Sequence, residues 1–285
     1  FRSLGDSIMN TGVFPMEMWE KYGIAGYNIA SYGNTLPITY WALQNALDYA
    51  KPKLVVLDVQ GVSKSYKLSG NSSDVHTAFD CYSISKTKIE ALDDLMDDPN
   101  AVDDDGVAYV DMKWEYLFTL GKYHARWSEL TDTDFHPVYN REKGAKSVIA
   151  VADVGDYDLI DEDMATEESG QTGFVYLRKI IEDCQARGID VLLVHLPYPA
   201  NEQQQMDANA VAYIAEDYGL NYIDFVSMDQ VADYVTDCFD AHEHLNPSGA
   251  RKVSDYLGRY ITEHYDVDDH RGDAAYTAWA DDAAA

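Results

Sequence analysis

The chain has 285 residues, of which 46% are hydrophobic, so it can bury a sizeable core as one large domain or two small ones. Its 50 acidic and 21 basic residues give a net charge of −29, which argues against nucleic acid, anionic lipid and other polyanions as partners. The sequence contains no apolar run of the about 18 residues needed to span a membrane, and its three scattered cysteines form no disulfide framework.

The first part of the chain alternates predicted strands and a helix. Residues 1–6 predict a short strand followed by a loop that carries Ser7, and GYNIASYG predicts a second apolar segment that ends on Gly33. The segment PITYWALQNALDYAKP predicts a helix between Pro37 and Pro52, and KLVVLDVQG predicts a buried strand. Continuous apolar strands of this kind are typical of a parallel sheet that is covered on both faces.

The same alternation returns near the end of the chain. A helix with Phe174 and Leu177 on its apolar face ends at Gly188, and IDVLLVHLPYP follows as a buried strand. A second helix ends at Gly219, NYIDF is the next strand, and NPSGARKVSDYLGRYITEHY is the last helix. We therefore predict a three-layer α/β/α sandwich with a mostly parallel, flavodoxin-like sheet.

The predicted domain spans residues 1–265 and contains an insertion at about 63–170 that is rich in Asp, Tyr and Gly. A structureless segment of that length is improbable in a compact domain, so we expect the insertion to form helices of its own and to act as a cap beside the sheet. Residues 266–285 are rich in Ala and Asp, and we expect them to form an extended or frayed tail.

Candidate catalytic residues follow the ends of the predicted strands, where open parallel sheets bind their ligands. Ser7 and Gly33 would lie at this edge, as would the loop TDCFDAHEHLNPSG, which contains Asp240, His242 and His244. A serine hydroxyl needs an imidazole to accept its proton, and the imidazole needs a carboxylate to hold its tautomer. The chain therefore contains the parts of a serine catalytic triad.

The order of these segments resembles that of the SGNH (GDSL-type) hydrolases and acyltransferases. The resemblance rests on GDS at residues 5–7, the glycine in ASYGNT and the late loop DAHEHLNPSGA, and it covers roughly residues 1–62 and 171–264. It implies an esterase or O-acyltransferase that needs no cofactor and acts on acetyl or other short acyl esters of cell-surface carbohydrate, in the cell envelope outside the cytoplasm. The substrate class follows from this analogy alone.

The resemblance also implies a role for each matching residue. Ser7 would be the nucleophile, His244 its base and Asp240 the acid, while the backbone of Ser7 and Gly33 would form the oxyanion hole. The family's third block carries an asparagine that is missing from VQGVSKS here, and Gln60 is the nearest amide that could replace it. Loss of one such donor typically costs about 3 kcal/mol of transition-state stabilisation, so we expect a substitute.

The spacing of the late loop leaves two candidates for the base. The family's usual pattern is Asp-x-x-His, whereas Asp240 and His244 are one residue further apart and have His242 between them. A polysaccharide acetyltransferase branch of the family uses Asp-x-His, which would make His242 the base. We favour His244 because HLNPSG leads into the last helix as the family's histidine does.

Other polar residues are candidates for substrate binding. Asn34 lies in the second block, and GKYHARWSEL in the insertion brings His124 and Arg126 beside Trp127, which resembles a His-x-Arg-Trp segment of acyltransferase-like members. The structural alternative is that Trp127 anchors the core of the cap and Arg126 pairs with an acidic residue. We expect His195, at a strand end, to be a hydrogen-bonded structural histidine.

The most favoured function is therefore serine-dependent hydrolysis or transfer of an acyl ester, with an acylated carbohydrate or small acyl ester as substrate. Two alternatives are a carbohydrate-binding protein without activity and a metal-dependent hydrolase that uses Asp240, His242 and His244. Because the first strand begins at Phe1, we also expect a signal or anchor upstream of this sequence.

Overall fold

A parallel sheet lies at the centre of the computed structural model, which describes residues 1–136, 139–155, 157–168, 170–228, 231–240 and 244–284. The strands are β1 (Arg2–Leu4), β2 (Tyr27–Asn28), β3 (Leu54–Asp58), β4 (Asp190–His195) and β5 (Asn221–Asp224). Their order across the sheet is β2-β1-β3-β4-β5, and every neighbouring pair is parallel. This order places β1 between β2 and β3.

Helices connect the strands and form the insertion. In chain order they are α1 (Ser7–Gly12), α2 (Pro15–Tyr22), α3 (Leu36–Leu47), α4 (Ser72–Phe79), α5 (Lys86–Leu95), α6 (Tyr109–Leu117), α7 (Thr119–Tyr123), α8 (Asp132–Phe135), α9 (Thr172–Ala186), α10 (Glu202–Tyr218), α11 (Pro247–His264) and α12 (Thr277–Ala283). Within the described residues, no helix is long and apolar enough to cross a bilayer.

Alternating side chains of the central strand β3 belong to two separate cores. Leu54 and Val56 pack in the core that α1, α2 and α11 cover, whereas Val55 and Leu57 pack in the core that α3, α9 and α10 cover. Successive side chains of a strand point to opposite faces, so helices lie on both sides of the sheet. The predicted three-layer α/β/α sandwich is confirmed.

The helix that follows the late loop begins where local capping groups allow it. The Asn246 side chain accepts hydrogen bonds from the backbone N–H groups of Ser248 and Gly249, and Pro247 occupies the first helical position. Asn246 also donates to the carbonyl oxygen of Thr236 at 2.8 Å. The same residue therefore begins α11 and closes the loop before it.

The insertion forms helices of its own, as expected. Its helices α4, α5 and α6 share an apolar core that includes Val75, Phe79, Leu92 and Tyr116. Ile38 of α3 is also part of this core, so the insertion packs against the sheet domain.

Two local expectations were wrong. Ser7 lies at the start of α1 rather than in a loop, because the Asp6 side chain accepts the N–H of Ile8 and caps the helix while Ile8 becomes buried. Residues 266–285 are also not an extended tail throughout, since they include a short 3-10 turn (Ala274–Tyr276) and α12. Trp279 of α12 packs against Trp19, which gives this acidic segment an apolar anchor.

Candidate active site

Ser7 is held in place at the point where β1 passes into α1. The chain makes this turn at Gly5, where a Cβ would lie 2.8 Å from the Cβ of Asp58, so only glycine fits without a shift of the backbone. The Ser7 side chain is half-buried. A strand and a capped helix therefore fix the serine on either side.

Ser7, His244 and Asp240 form a chain of hydrogen bonds. Ser7 Oγ lies 2.8 Å from His244 Nε2, and His244 Nδ1 lies 2.6 Å from Asp240 Oδ2. When Nδ1 carries the proton, the imidazole donates to the carboxylate and its Nε2 accepts from the hydroxyl. This is the orientation in which a histidine can remove a proton from serine.

The late loop positions His244 through its own backbone. Asp240 Oδ1 accepts the His244 N–H at 3.3 Å, so the same carboxylate binds both the backbone and the ring of this histidine. Further along, the Asn246 N–H donates to the Asp237 carbonyl at 2.8 Å, and the buried Asp237 side chain accepts from Lys252 at 2.6 Å. These contacts join the loop to α11 on both sides of the histidine.

The alternative base, His242, lies outside the described residues, as does any metal site that would need it. Across the part of the chain that the structure describes, no three His, Cys, Asp or Glu side chains cluster in a way that could hold a metal ion. The contacts of His244 are sufficient to assign it a place beside Ser7.

Gly33 and Asn34 form the turn on the β2 side of Ser7. Gly33 has a φ of +65°, and a Cβ there would lie 2.5 Å from Asp74 Oδ2, so a larger residue would be both strained and crowded. The buried Asn34 side chain donates to the Gly5 carbonyl at 3.1 Å and therefore ties this turn to the serine turn. Burial, followed by the charge of Asp104, raises the pKa of Asp74.

Gln60 and Asp58 lie on the other side of Ser7, at the end of β3. The Gln60 Oε1 atom is buried and has no hydrogen-bond partner within the described ranges. This oxygen can only accept a hydrogen bond, so a role for Gln60 in an oxyanion hole would require its Nε2 to donate. Asp58 is buried at the end of the strand, and burial together with the charge of Asp6 raises its pKa well above the usual range. The end of β3 therefore carries a carboxyl group whose pKa is raised by its surroundings.

The insertion residues His124 and Arg126 lie in a short 3-10 turn (His124–Ser128). The Arg126 side chain pairs with Asp134, as the structural alternative predicted, but Trp127 is 70% exposed and does not anchor a core. Within the ranges that the structure covers, no hydrogen bond or ion pair joins His124 or Arg126 to Ser7 or His244.

Three side chains near the triad were missed by the sequence analysis. Phe239 stacks on the His244 ring with a centroid distance of 5.3 Å, and the Tyr32 ring lies 6.0 Å from it. The ammonium of Lys146 lies 4.3 Å from the Tyr32 ring centroid. Tyr32 and Phe239 directly precede Gly33 and Asp240 in the sequence, so their neighbours could have identified them as site residues. Nothing in the sequence distinguished Lys146.

His195 belongs to a second Asp–His pair, which lacks a serine. Its Nδ1 lies 2.9 Å from Asp224 Oδ1 and its Nε2 lies 3.0 Å from the Tyr198 hydroxyl. Burial would raise the pKa of Asp224, but the hydrogen bond and charge of His195 lower it on balance. Both ring nitrogens are therefore engaged, as expected of a structural histidine.

A cavity beside β5 does not include the triad. A cavity of about 560 Å³ lies beside β5 and is lined in part by Tyr157, Val226 and Lys252. Ser7 and His244 are not among its lining residues. The candidate site is therefore identified by the chemistry of its side chains and by its place at the strand ends, not by volume.

No model of a known protein family matches this chain, and a search of curated proteins also gave no match. The geometry of the site and the order of its sequence segments are therefore the basis for inferring a function.

Proposed function

We propose that this protein is a serine-dependent enzyme that hydrolyses an acyl ester or transfers its acyl group. The observation that carries the proposal is the hydrogen-bonded chain from Ser7 through His244 to Asp240, with distances of 2.8 and 2.6 Å. Ser7 and His244 are 237 positions apart in sequence, so their contact depends on the whole fold. Such a chain activates a hydroxyl that has too high a pKa to attack unaided.

In the proposed reaction, Ser7 Oγ attacks the ester carbonyl carbon while His244 Nε2 takes the hydroxyl proton. His244 then gives this proton to the leaving alcohol, and an acyl-serine remains. Water or a second hydroxyl next attacks the acyl-serine with His244 again as the base, which restores Ser7. Asp240 holds the tautomer and stabilises the positive charge on the ring, while the amides of Ser7 and Gly33, with Gln60 as a further candidate donor, stabilise the oxyanion.

The proposed substrate is an acetyl or other short acyl ester of carbohydrate located outside the cytoplasm. The resemblance of the segments around Ser7, Gly33 and His244 to the SGNH hydrolases supports this substrate class by analogy. The rings of Tyr32 and Phe239 beside His244 also support it, because they offer flat apolar surfaces against which a sugar ring can pack.

Labelling with a fluorophosphonate, followed by peptide mass mapping, tests the proposal directly. We expect the wild-type protein to be labelled on Ser7, and we expect Ser7→Ala and His244→Ala to abolish the labelling. The matched control is His242→Ala, which should still be labelled if His244 is the base. Thermal unfolding of each variant shows whether it is folded, and a folded wild-type protein without label on Ser7 would contradict the serine mechanism.

A further inference from the structure

A lysine ammonium stands close to the catalytic histidine without belonging to the proposed triad. Lys146 Nζ lies 4.3 Å from the centroid of the Tyr32 ring, and that ring lies 6.0 Å from the ring of His244. The Lys146 side chain is exposed. A ligand of the size of one or two sugar rings could therefore touch both the ammonium and the reacting serine.

The position of Lys146 is fixed relative to Ser7 by its backbone. The Lys146 N–H donates to the carbonyl oxygen of Asn10 at 2.9 Å, and Asn10 lies three residues after Ser7 in α1. The Asn10 side chain in turn donates to the carbonyls of Ala30 and Gly144, at 3.1 and 3.0 Å. One buried asparagine thus joins the serine helix, the β2 turn and the segment of the insertion that carries the lysine.

The Lys146 ammonium is available to a ligand. It has no ion pair among the residues that the structure describes, whereas Lys21 and Lys252 each pair with a carboxylate. In a protein with a net charge of −29, this ammonium is a local positive charge that an anionic group near the serine could meet.

We infer that Lys146 and Tyr32 form a subsite for a single anionic group, a carboxylate or a phosphate, on the carbohydrate that carries the acyl ester. The inference rests on the proposed function. An ammonium on the face of an aromatic ring keeps donors free for a ligand oxygen, and charged hydrogen bonds of this kind are stronger than neutral ones. Asp74 lies against Gly33 and would repel an anion there, so the anionic group belongs on the Tyr32 side.

The inference agrees with the net charge of the chain. A long polyanion would be repelled by the negative surface as a whole, whereas one anionic group per ligand has to be stabilised only within the reach of Lys146. The substrate class that fits is therefore a small acylated uronic acid or sugar phosphate.

Three mono-O-acetylated methyl glucosides test the subsite: the neutral glucoside, its glucuronate counterpart and its 6-phosphate. We expect wild-type kcat/KM to favour an anionic ester over the neutral one by about fivefold or more, and we expect Lys146→Met to lower that preference by about fivefold through KM. The matched control is Lys86→Met, a surface lysine whose side chain is 87% exposed, which should leave the preference unchanged. A comparison of the glucuronate ester with the 6-phosphate ester shows whether the subsite prefers a carboxylate or a phosphate.

Binding to Ser7→Ala, measured by NMR titration with the same three esters, decides the inference independently of turnover. The subsite is supported if Ser7→Ala binds an anionic ester more tightly than the neutral ester and if adding Lys146→Met weakens that binding. This result holds even if the wild-type protein cleaves none of the three esters, in which case only the proposed function fails. Equal binding and equal cleavage of neutral and anionic esters would overturn the subsite and leave the proposed function intact. An equal loss of binding of the neutral and anionic esters on adding Lys146→Met would also overturn it.

Discussion

The two Asp–His pairs of this protein should respond in opposite ways to the same substitution. Asp240 and Asp224 each accept a hydrogen bond from the Nδ1 of a histidine, at 2.6 and 2.9 Å. The Nε2 of the first histidine meets a serine hydroxyl, and that of the second meets the hydroxyl of Tyr198. Replacing either aspartate with asparagine keeps the shape of the side chain and removes its charge.

Asp240→Asn should affect the rate far more than the stability. An amide cannot stabilise the imidazolium of His244 as a carboxylate does, and it permits the wrong tautomer, so kcat/KM should fall by about 10³- to 10⁴-fold. This loss corresponds to about 4 to 5.5 kcal/mol of transition-state stabilisation. The Asp240 side chain is 30% exposed, so the free energy of unfolding should change by less than about 1 kcal/mol.

Asp224→Asn should affect the stability far more than the rate. The side chain of His195 is 2% exposed, and Asp224 also accepts the N–H of Val226 at 3.0 Å, so the substitution leaves buried groups with poorer partners. The expected cost is about 2 kcal/mol in the free energy of unfolding, which corresponds to a fall of about 5 °C in Tm. The value of kcat/KM should stay within about threefold of the wild-type value.

The assay combines urea unfolding with steady-state hydrolysis of 4-nitrophenyl acetate for the wild-type protein and both variants. A variant Asp240→Asn that hydrolyses the ester within tenfold of the wild-type rate would refute the role given to this carboxylate. A loss of rate in Asp224→Asn as large as that in Asp240→Asn would show that the assignment of the two pairs is wrong.

Two further predictions concern the flanks of Ser7. Gly33→Ala should lower the free energy of unfolding by about 1 to 3 kcal/mol, because Gly33 has a φ of +65° and lies against Asp74, and it should lower kcat more than tenfold. Adding Asp74→Ala should restore part of this stability, and a double variant without recovery would contradict the contact. Burial, followed by the charge of Asp6, raises the pKa of Asp58. The folded protein therefore holds a proton on Asp58 that the unfolded chain releases near pH 4. The contribution of Asp58 to the free energy of unfolding falls as the pH rises from there toward the folded pKa. In urea unfolding, Asp58→Asn should therefore gain stability relative to wild type as the pH rises above about 4, and parallel stability curves would contradict the shift.

Much of the fold follows from local patterns that the sequence displays. The apolar run over β3 predicts a strand buried on both faces, and the terminal signals around Asn246, Pro247 and Gly219 predict where helices begin and end. These features depend on residues within one or two turns of each other, so they can be recognised without the tertiary structure. The choice of Ser7, Asp240 and His244 was possible for a related reason, because the chemistry of a serine nucleophile requires these residue types at strand ends.

Other features depend on contacts between distant segments and left little local signal. The helix at Ser7 forms because Ile8 packs in the core beside α11. The helix α12 forms where Trp279 packs against Trp19, which lies near the start of the chain. The place of Lys146 beside Tyr32 follows from a hydrogen bond to Asn10, more than 130 positions earlier. Patterns within the sequence specify which elements form and which residues can do chemistry, whereas packing between distant segments specifies which side chains surround the serine and therefore which substrate can reach it.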